Sequence, residues 1–191
     1  SALAVSKDIH EIKKEYLLIM RGISEVLDQE VKSDGMYLDE ILNVLKNATV
    51  RLGKDSGKEV SVSLHFPHRL YTGQHYAWMS IFRNLFTNAL EAEKSSYVQI
   101  EVVQNFSGDN CIFQITDHGP GIPEENQPEI FCPGFSTKIN YETGEVSRGL
   151  GLNLVHDLIK DQFHGTISLE SVPGKTTFTI TVPKTTFTQK G

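Results

Sequence analysis

The chain has 191 residues, 39% hydrophobic and 22% charged, which supports one packed domain or one domain plus a short appendage. Its 18 basic and 24 acidic residues leave a formal charge of −6, which argues against a nucleic-acid binder working by bulk electrostatics. Cys111 and Cys132 are too few for a disulfide framework and form no metal-ligand spacing. No apolar run approaches the ~20 residues of a membrane span, and no signal-peptide pattern opens the chain. A reducing, cytoplasmic setting is expected, with any membrane attachment upstream of these residues.

Between Ile9 and Leu27, the residues Ile12, Tyr16, Ile19, Ile23 and Val26 recur at three- and four-residue spacings, a helical stripe. Residues 32–35 interrupt it. A second amphipathic run carries Met36, Leu38, Ile41, Leu42, Leu45 and Val50 and ends near Gly53 and Gly57. Residues 59–66 alternate as a strand and stop at Pro67, and Trp78–Ala92 reads as a strongly apolar helix. Tyr97–Val103 and Cys111–Ile115 alternate again, with residues 105–110 as the turn between them. Glycine and proline cluster from Gly119 to Pro133. Helix returns over Leu152–Phe163, and Gly165–Val172 with Thr176–Val182 reads as a closing hairpin through Pro173 and Gly174. Strands that pair through hairpins, with long helices to cover one face, predict an α+β fold, a two-layer α/β sandwich. Residues 132–148 lack periodicity and are long for a loop in a compact domain, which favours a functional lid.

Four local patterns carry chemistry. Asn84 and Asn88 stand at i and i+4, so both side chains leave one helical face; their carboxamides suit Mg²⁺ or phosphate, or are plain helix-surface amides. Asp117, His118, Gly119, Pro120, Gly121 and Ile122 follow directly on a strand. An aspartate there accepts hydrogen bonds only, so it suits an exocyclic amine such as that of adenine, or it caps a turn. Lys138, beside Ser136 and Thr137, suits a phosphate tail or open solvent. Arg148, Gly149, Leu150, Gly151 and Leu152 open a helix, whose N-terminal amides and dipole favour an anion. The segment lacks the third glycine of a dinucleotide fingerprint and the lysine of a P-loop.

In order along the chain these segments resemble the Bergerat-type ATP-binding fold of sensor histidine kinases, type II topoisomerases, heat-shock chaperones and mismatch-repair ATPases. NLFTNALEA over 84–92 is similar to the asparagine box, DHGPGI over 117–122 to the first glycine box, and FCPGFSTK over 131–138 to the phenylalanine box. RGLGLNLV over 148–155 is similar to the second glycine box, and Thr176, Thr177 and Phe178 with Val182 and Pro183 resemble the closing element, one glycine short. The resemblance covers about Lys58 to Pro183. It implies an ATP site in which Asn88 ligates Mg²⁺ with Asn84 assisting, and Asp117 binds the adenine amine. Gly119, Gly121 and Ile122 give the base room, and Thr176 supports the Asp117 end through a water. Lys138 and the amides of Gly149, Leu150 and Gly151 meet the phosphates, with Phe135, Ser136, Thr137, Arg148 and Leu152 also at the ATP site, under the 132–148 lid.

Hydrolytic branches and anti-sigma-factor serine kinases place a glutamate where Asn84 stands, and a neutral carboxamide is a poor proton acceptor. The resemblance therefore implies a two-component sensor histidine kinase, in look nearest the citrate/dicarboxylate sensors. The alternatives are a Bergerat-fold ATPase of chaperone, topoisomerase or mismatch-repair type, a serine kinase, or a non-catalytic module. Implied with it are a response-regulator receiver domain as partner, homodimerisation through a helical hairpin, and no nucleic-acid partner. Two positions depart from the common pattern: Glu91 stands where many sensors carry lysine, and His118 replaces an asparagine. His10, in HEIK, resembles a phosphoacceptor motif, but Lys14 and Glu15 follow where Asn-Pro is usual. The stretch from His10 to Met36 spans only roughly 39 Å as one helix, too short for a helix and its return. The expected layout is thus residues 1–33 as the remnant of the hairpin, 34–186 as the ATP-binding domain and 187–191 as a tail, with His10 incidental. Among the other histidines, His65, His68, His75, His156 and His164 show no ligand spacing.

Overall fold

The computed structural model describes residues 35–132 and 151–188, with Glu11 and Ile19 as isolated helical positions. The Ile9–Leu27 helix as a whole, His10, and the lid residues Phe135, Ser136, Thr137, Lys138, Arg148, Gly149 and Leu150 lie outside the described residues.

The second amphipathic run becomes α1, Leu38–Asp55, whose buried face is Leu38, Ile41, Leu42, Leu45, Thr49 and Gly53. Met36 is not part of it. Met36 and Tyr37 form β1, paired antiparallel with β3, Tyr71–Thr72. The Leu38 amide, which a helix start leaves without an internal partner, donates to the Leu70 carbonyl at 2.8 Å. The predicted strand is β2, Glu59–His65, and the apolar helix is α2, His75–Ala92. α2 starts three residues before Trp78, because Ala77 and His75 are buried along with it.

β4 (Tyr97–Ser107) and β5 (Asn110–Asp117) pair along their length, so the turn is only Gly108 and Asp109 rather than all of residues 105–110. With β6 (Thr166–Val172) and β7 (Lys175–Pro183) they complete a five-stranded sheet of order β2-β4-β5-β7-β6. β2 runs parallel to β4, since α2 crosses over between them; every other pair is antiparallel. Strict alternation sets the layers. Val98, Ile100 and Val102 on β4, Phe113 and Ile115 on β5, and Phe178, Ile180 and Val182 on β7 are all buried against the helices. Glu101, Gln114 and Thr179 turn to the other face. The architecture is the two-layer α/β sandwich.

The last α-helix among the described residues is α3, Gly151–Asp157, and it continues as a π turn over Leu158–Gln162 in place of the uninterrupted helix predicted to Phe163. The Phe163 amide reaches the Leu158 carbonyl at 3.3 Å, and the wider turn leaves Leu158, Ile159 and Phe163 all buried. Phe163 stacks on Trp78 with ring centroids 4.4 Å apart, and Phe187 lies 5.2 Å from Trp78 on the same aromatic cluster. Thr188 exchanges backbone hydrogen bonds with Tyr71. The packed unit therefore extends through Phe187 and Thr188, past residue 186. Among the described residues no helix is long and apolar enough to cross a membrane.

Candidate functional site

α2 runs past the start of α3, and Asn84 marks the crossing. Its amide Nδ2 donates to the Ser80 carbonyl at 2.7 Å, one turn back, which leaves Oδ1 directed at Gly151. A Cβ on Gly151 would stand 2.6 Å from that oxygen, so glycine is what allows the first turn of α3 to approach α2 this closely. Asn88, one turn on, is half-buried, and its side chain makes no hydrogen bond among the described residues. A helix-borne carboxamide with no internal partner is available to a ligand.

At its other end, α2 is gripped by Lys58, whose Nζ donates to the Leu90 carbonyl at 2.7 Å and to that of Glu93. The Leu90 carbonyl is among the last of the helix and that of Glu93 caps it, where a cation is favourable. Glu93, just past the helix, brings its carboxylate beside Gly119. The span from Asn84 to Glu93 is about 13 Å at helical rise. The middle of α2 thus meets the second glycine segment, and the residue just past its C-terminus meets the first.

Asp117 ends β5, opposite Thr176 on β7. Its Oδ1 accepts the Gly119 amide at 3.0 Å. Burial pushes its carboxyl above the ordinary range, with Glu93 adding to the rise, while the Gly119 amide and His118 pull against it. Gly121 has φ +83°, and a Cβ there would lie 2.6 Å from the Val172 carbonyl oxygen, so the loop lies flat against the β6–β7 hairpin. Three bonds latch it: Gly174 amide to Gly119 carbonyl at 3.0 Å, Ile122 amide to Ser171 Oγ at 2.8 Å, and Gln127 Nε2 to the Ser171 carbonyl at 3.1 Å. Thr176, buried, shares its hydroxyl with Ser171 at 2.7 Å and so backs the same latch.

The structure therefore brings Asn84 to Gly151, and Asp117 to Gly119, Gly121, Ile122 and Thr176. Leu152 is partly buried on the core. His118 turns outward, with Nε2 3.9 Å from Glu101 on the outer face of the sheet, and Glu91 is exposed. Four contributors were not singled out from the sequence: Ser171, Gln127, Glu93 and Asn153. Asn153 is buried and donates to the Phe131 carbonyl at 2.9 Å, tying α3 to the point where the 132–148 segment departs. Its only signal was its place in RGLGLNLV; the other three act across the fold and left none.

Residues 73–186 match the family described as histidine kinase-, DNA gyrase B-, and HSP90-like ATPase, a span that contains every segment above except Lys58. The chain belongs to this family. It is 28% identical over 99% of its length to sensor histidine kinase GlnK of Bacillus subtilis (strain 168), covering 46% of that protein. It is 34% identical over 70% of its length to sensor protein CitS of Halalkalibacterium halodurans, covering 24% of it. The catalytic domain of histidine kinase ThkA superposes with a TM-score of 0.64 at 22% identity, over 78% of this chain and 94% of that one, which shows the shared fold. The chain spans about half or less of the length of these curated relatives. Its ATP-binding domain is thus of the sensor histidine kinase kind, and among the described residues Gly151 opens α3, carboxamides stand along α2 and a carboxylate ends β5.

The donor set also fits Mg²⁺. The Asn84 and Asn88 oxygens are hard and neutral, and among the described residues no group of three or more His, Cys, Asp or Glu could hold a metal alone. Two carboxamides without a carboxylate bind a dication weakly, so the ion fits here as a companion of phosphate.

Proposed function

We propose that this chain is the cytoplasmic, ATP-binding catalytic portion of a membrane-bound sensor histidine kinase. It binds Mg²⁺·ATP and delivers the γ-phosphoryl group to a histidine, from which it passes to an aspartate on a response-regulator receiver domain. The parent protein dimerises through a helical hairpin. The observation that carries the reading is α2 itself, whose middle sets Asn84 against Gly151 and whose C-terminal cap, Glu93, stands beside Gly119, the residue that Asp117 binds. Asp117 accepts from the adenine amine, while Gly119 and Gly121 let the backbone pass close to the base. Asn88, with Asn84 beside it, would hold Mg²⁺, which when bound neutralises phosphate charge. The amides at Gly149–Gly151, with Arg148 and Lys138, take the phosphates, and Phe135, Ser136 and Thr137 close over them.

In the transfer, the bond between the γ-phosphorus and its bridging oxygen breaks, ADP leaves, and a bond to an imidazole nitrogen forms. A neutral imidazole nitrogen attacks with its own lone pair, so no proton need be taken from it. That agrees with a carboxamide at position 84, where a hydrolytic enzyme needs a base. The domain's work is to hold and neutralise phosphates.

The test is incubation of the chain with γ-labelled ATP, with and without a full hairpin from a sensor kinase. Acid-labile, base-stable label appearing only with the hairpin supports the reading. Steady phosphate release without label overturns it in favour of an ATPase, and label on the chain alone that is lost in His10→Gln assigns the acceptor to His10.

A further inference from the structure

A second carboxylate, that of Glu93, stands beside Asp117. A Cβ placed on Gly119 would lie 3.0 Å from Asp117 Oδ1 and 3.6 Å from Glu93 Oε2, so both carboxylates border the same small space. They are held alike. Asp117 Oδ1 accepts the amide of Gly119, two residues on, and Glu93 Oε1 accepts the amide of Ser95, two residues on, at 3.0 Å. The Glu93 backbone is fixed as well, since Lys58 Nζ binds its carbonyl and its own amide donates to the Ala89 carbonyl at 3.3 Å. Glu93 is only half-exposed, and its Oε2 has no hydrogen bond among the described residues. A fixed, partly desolvated acceptor beside another acceptor is costly when unpartnered and favours a ligand group that donates twice.

Resting on the nucleotide reading above, we propose that Glu93 is a second base-recognising residue: Asp117 and Glu93 each accept one of the two hydrogens of the 6-amino group of adenine. An amine with two N–H bonds satisfies both carboxylates. An amine with one leaves one of them facing carbon.

The comparison of ATP with N6-methyl-ATP isolates this, because the methyl group removes one hydrogen and leaves ribose and phosphates untouched. Affinities are measured by calorimetry on the full chain with Mg²⁺. Wild type should bind ATP about tenfold more tightly than N6-methyl-ATP, a hydrogen bond to a charged group at the lower end of its range. Glu93→Ala should erase the difference by weakening ATP about tenfold with N6-methyl-ATP unchanged, and Glu93→Gln, which keeps a weaker acceptor, should fall between. A merely structural role would move both nucleotides together, and that result overturns the proposal. So does a Glu93→Ala variant that strengthens N6-methyl-ATP with ATP unchanged (exclusion by bulk), or one that changes only discrimination against 2′-deoxy-ATP (a ribose contact). If wild type binds neither nucleotide, it is the nucleotide reading itself that fails.

Discussion

Replacing Gly121 by alanine tests the latch between the first glycine segment and the closing hairpin. At φ +83° a side chain costs about 1–2 kcal/mol. The new methyl would stand 2.6 Å from the Val172 carbonyl oxygen and 2.9 Å from its carbon, backbone atoms in a hydrogen-bonded strand that cannot rotate away, which adds about 1–3 kcal/mol of overpacking. Alanine restricts the unfolded chain, which returns about 0.4–1 kcal/mol. The expected net loss is about 2–4 kcal/mol. Gly174→Ala is the internal control, because Gly174 has φ +90° and open space around its missing Cβ. It should lose only about 1 kcal/mol. Urea unfolding of both variants, read as midpoints at constant slope, gives the difference, which belongs to the clash alone. If the loop lifts to relieve the clash, the Ile122–Ser171 bond opens and ATP affinity falls along with stability. Equal losses in the two variants would refute the claim that close approach to Val172, rather than backbone sign, is what requires glycine at 121.

Asp117→Asn should weaken ATP about ten- to a hundredfold while leaving the empty protein at least as stable as wild type at neutral pH. Burial raises the Asp117 carboxyl, so the folded state holds its proton more tightly than the unfolded one. Its contribution to stability therefore falls as pH rises from the unfolded value, about 4, through the folded one; the wild-type stability curve should show this decline and Asp117→Asn should lose it. A native thiol titration should count one fast cysteine, exposed Cys132, and a second only after denaturation, since burial pushes the Cys111 thiol up to about 11. Lys58→Met should destabilise by about 1–2 kcal/mol in thermal unfolding by leaving the Leu90 and Glu93 carbonyls without their cation; no change would mean the α2 terminus is held by other contacts.

Local chemistry made much of this protein legible along the chain. Amphipathic period located α1 and α2, alternation located the strands, and the order of asparagine, glycine and phenylalanine segments pointed to an ATP-binding domain, because each is a short pattern of residue types readable without its distant partners. The misses fall where partners are distant. Met36 looks helical by pattern yet pairs with Thr72, and Phe163 sits at a helix end but needs a π turn to reach Trp78. Phe187 looked like part of a tail and packs in the aromatic core. Ser171, Gln127 and Glu93 are ordinary polar residues in the sequence; only the register of β6 on β7 and the end of α2 carry them to the Asp117 loop. Periodicity and turn chemistry depend on neighbours within a few residues and are written into the sequence. Which polar atoms meet across the pocket depends on how the sheet and helices stack, and that is decided by the packing of the whole domain.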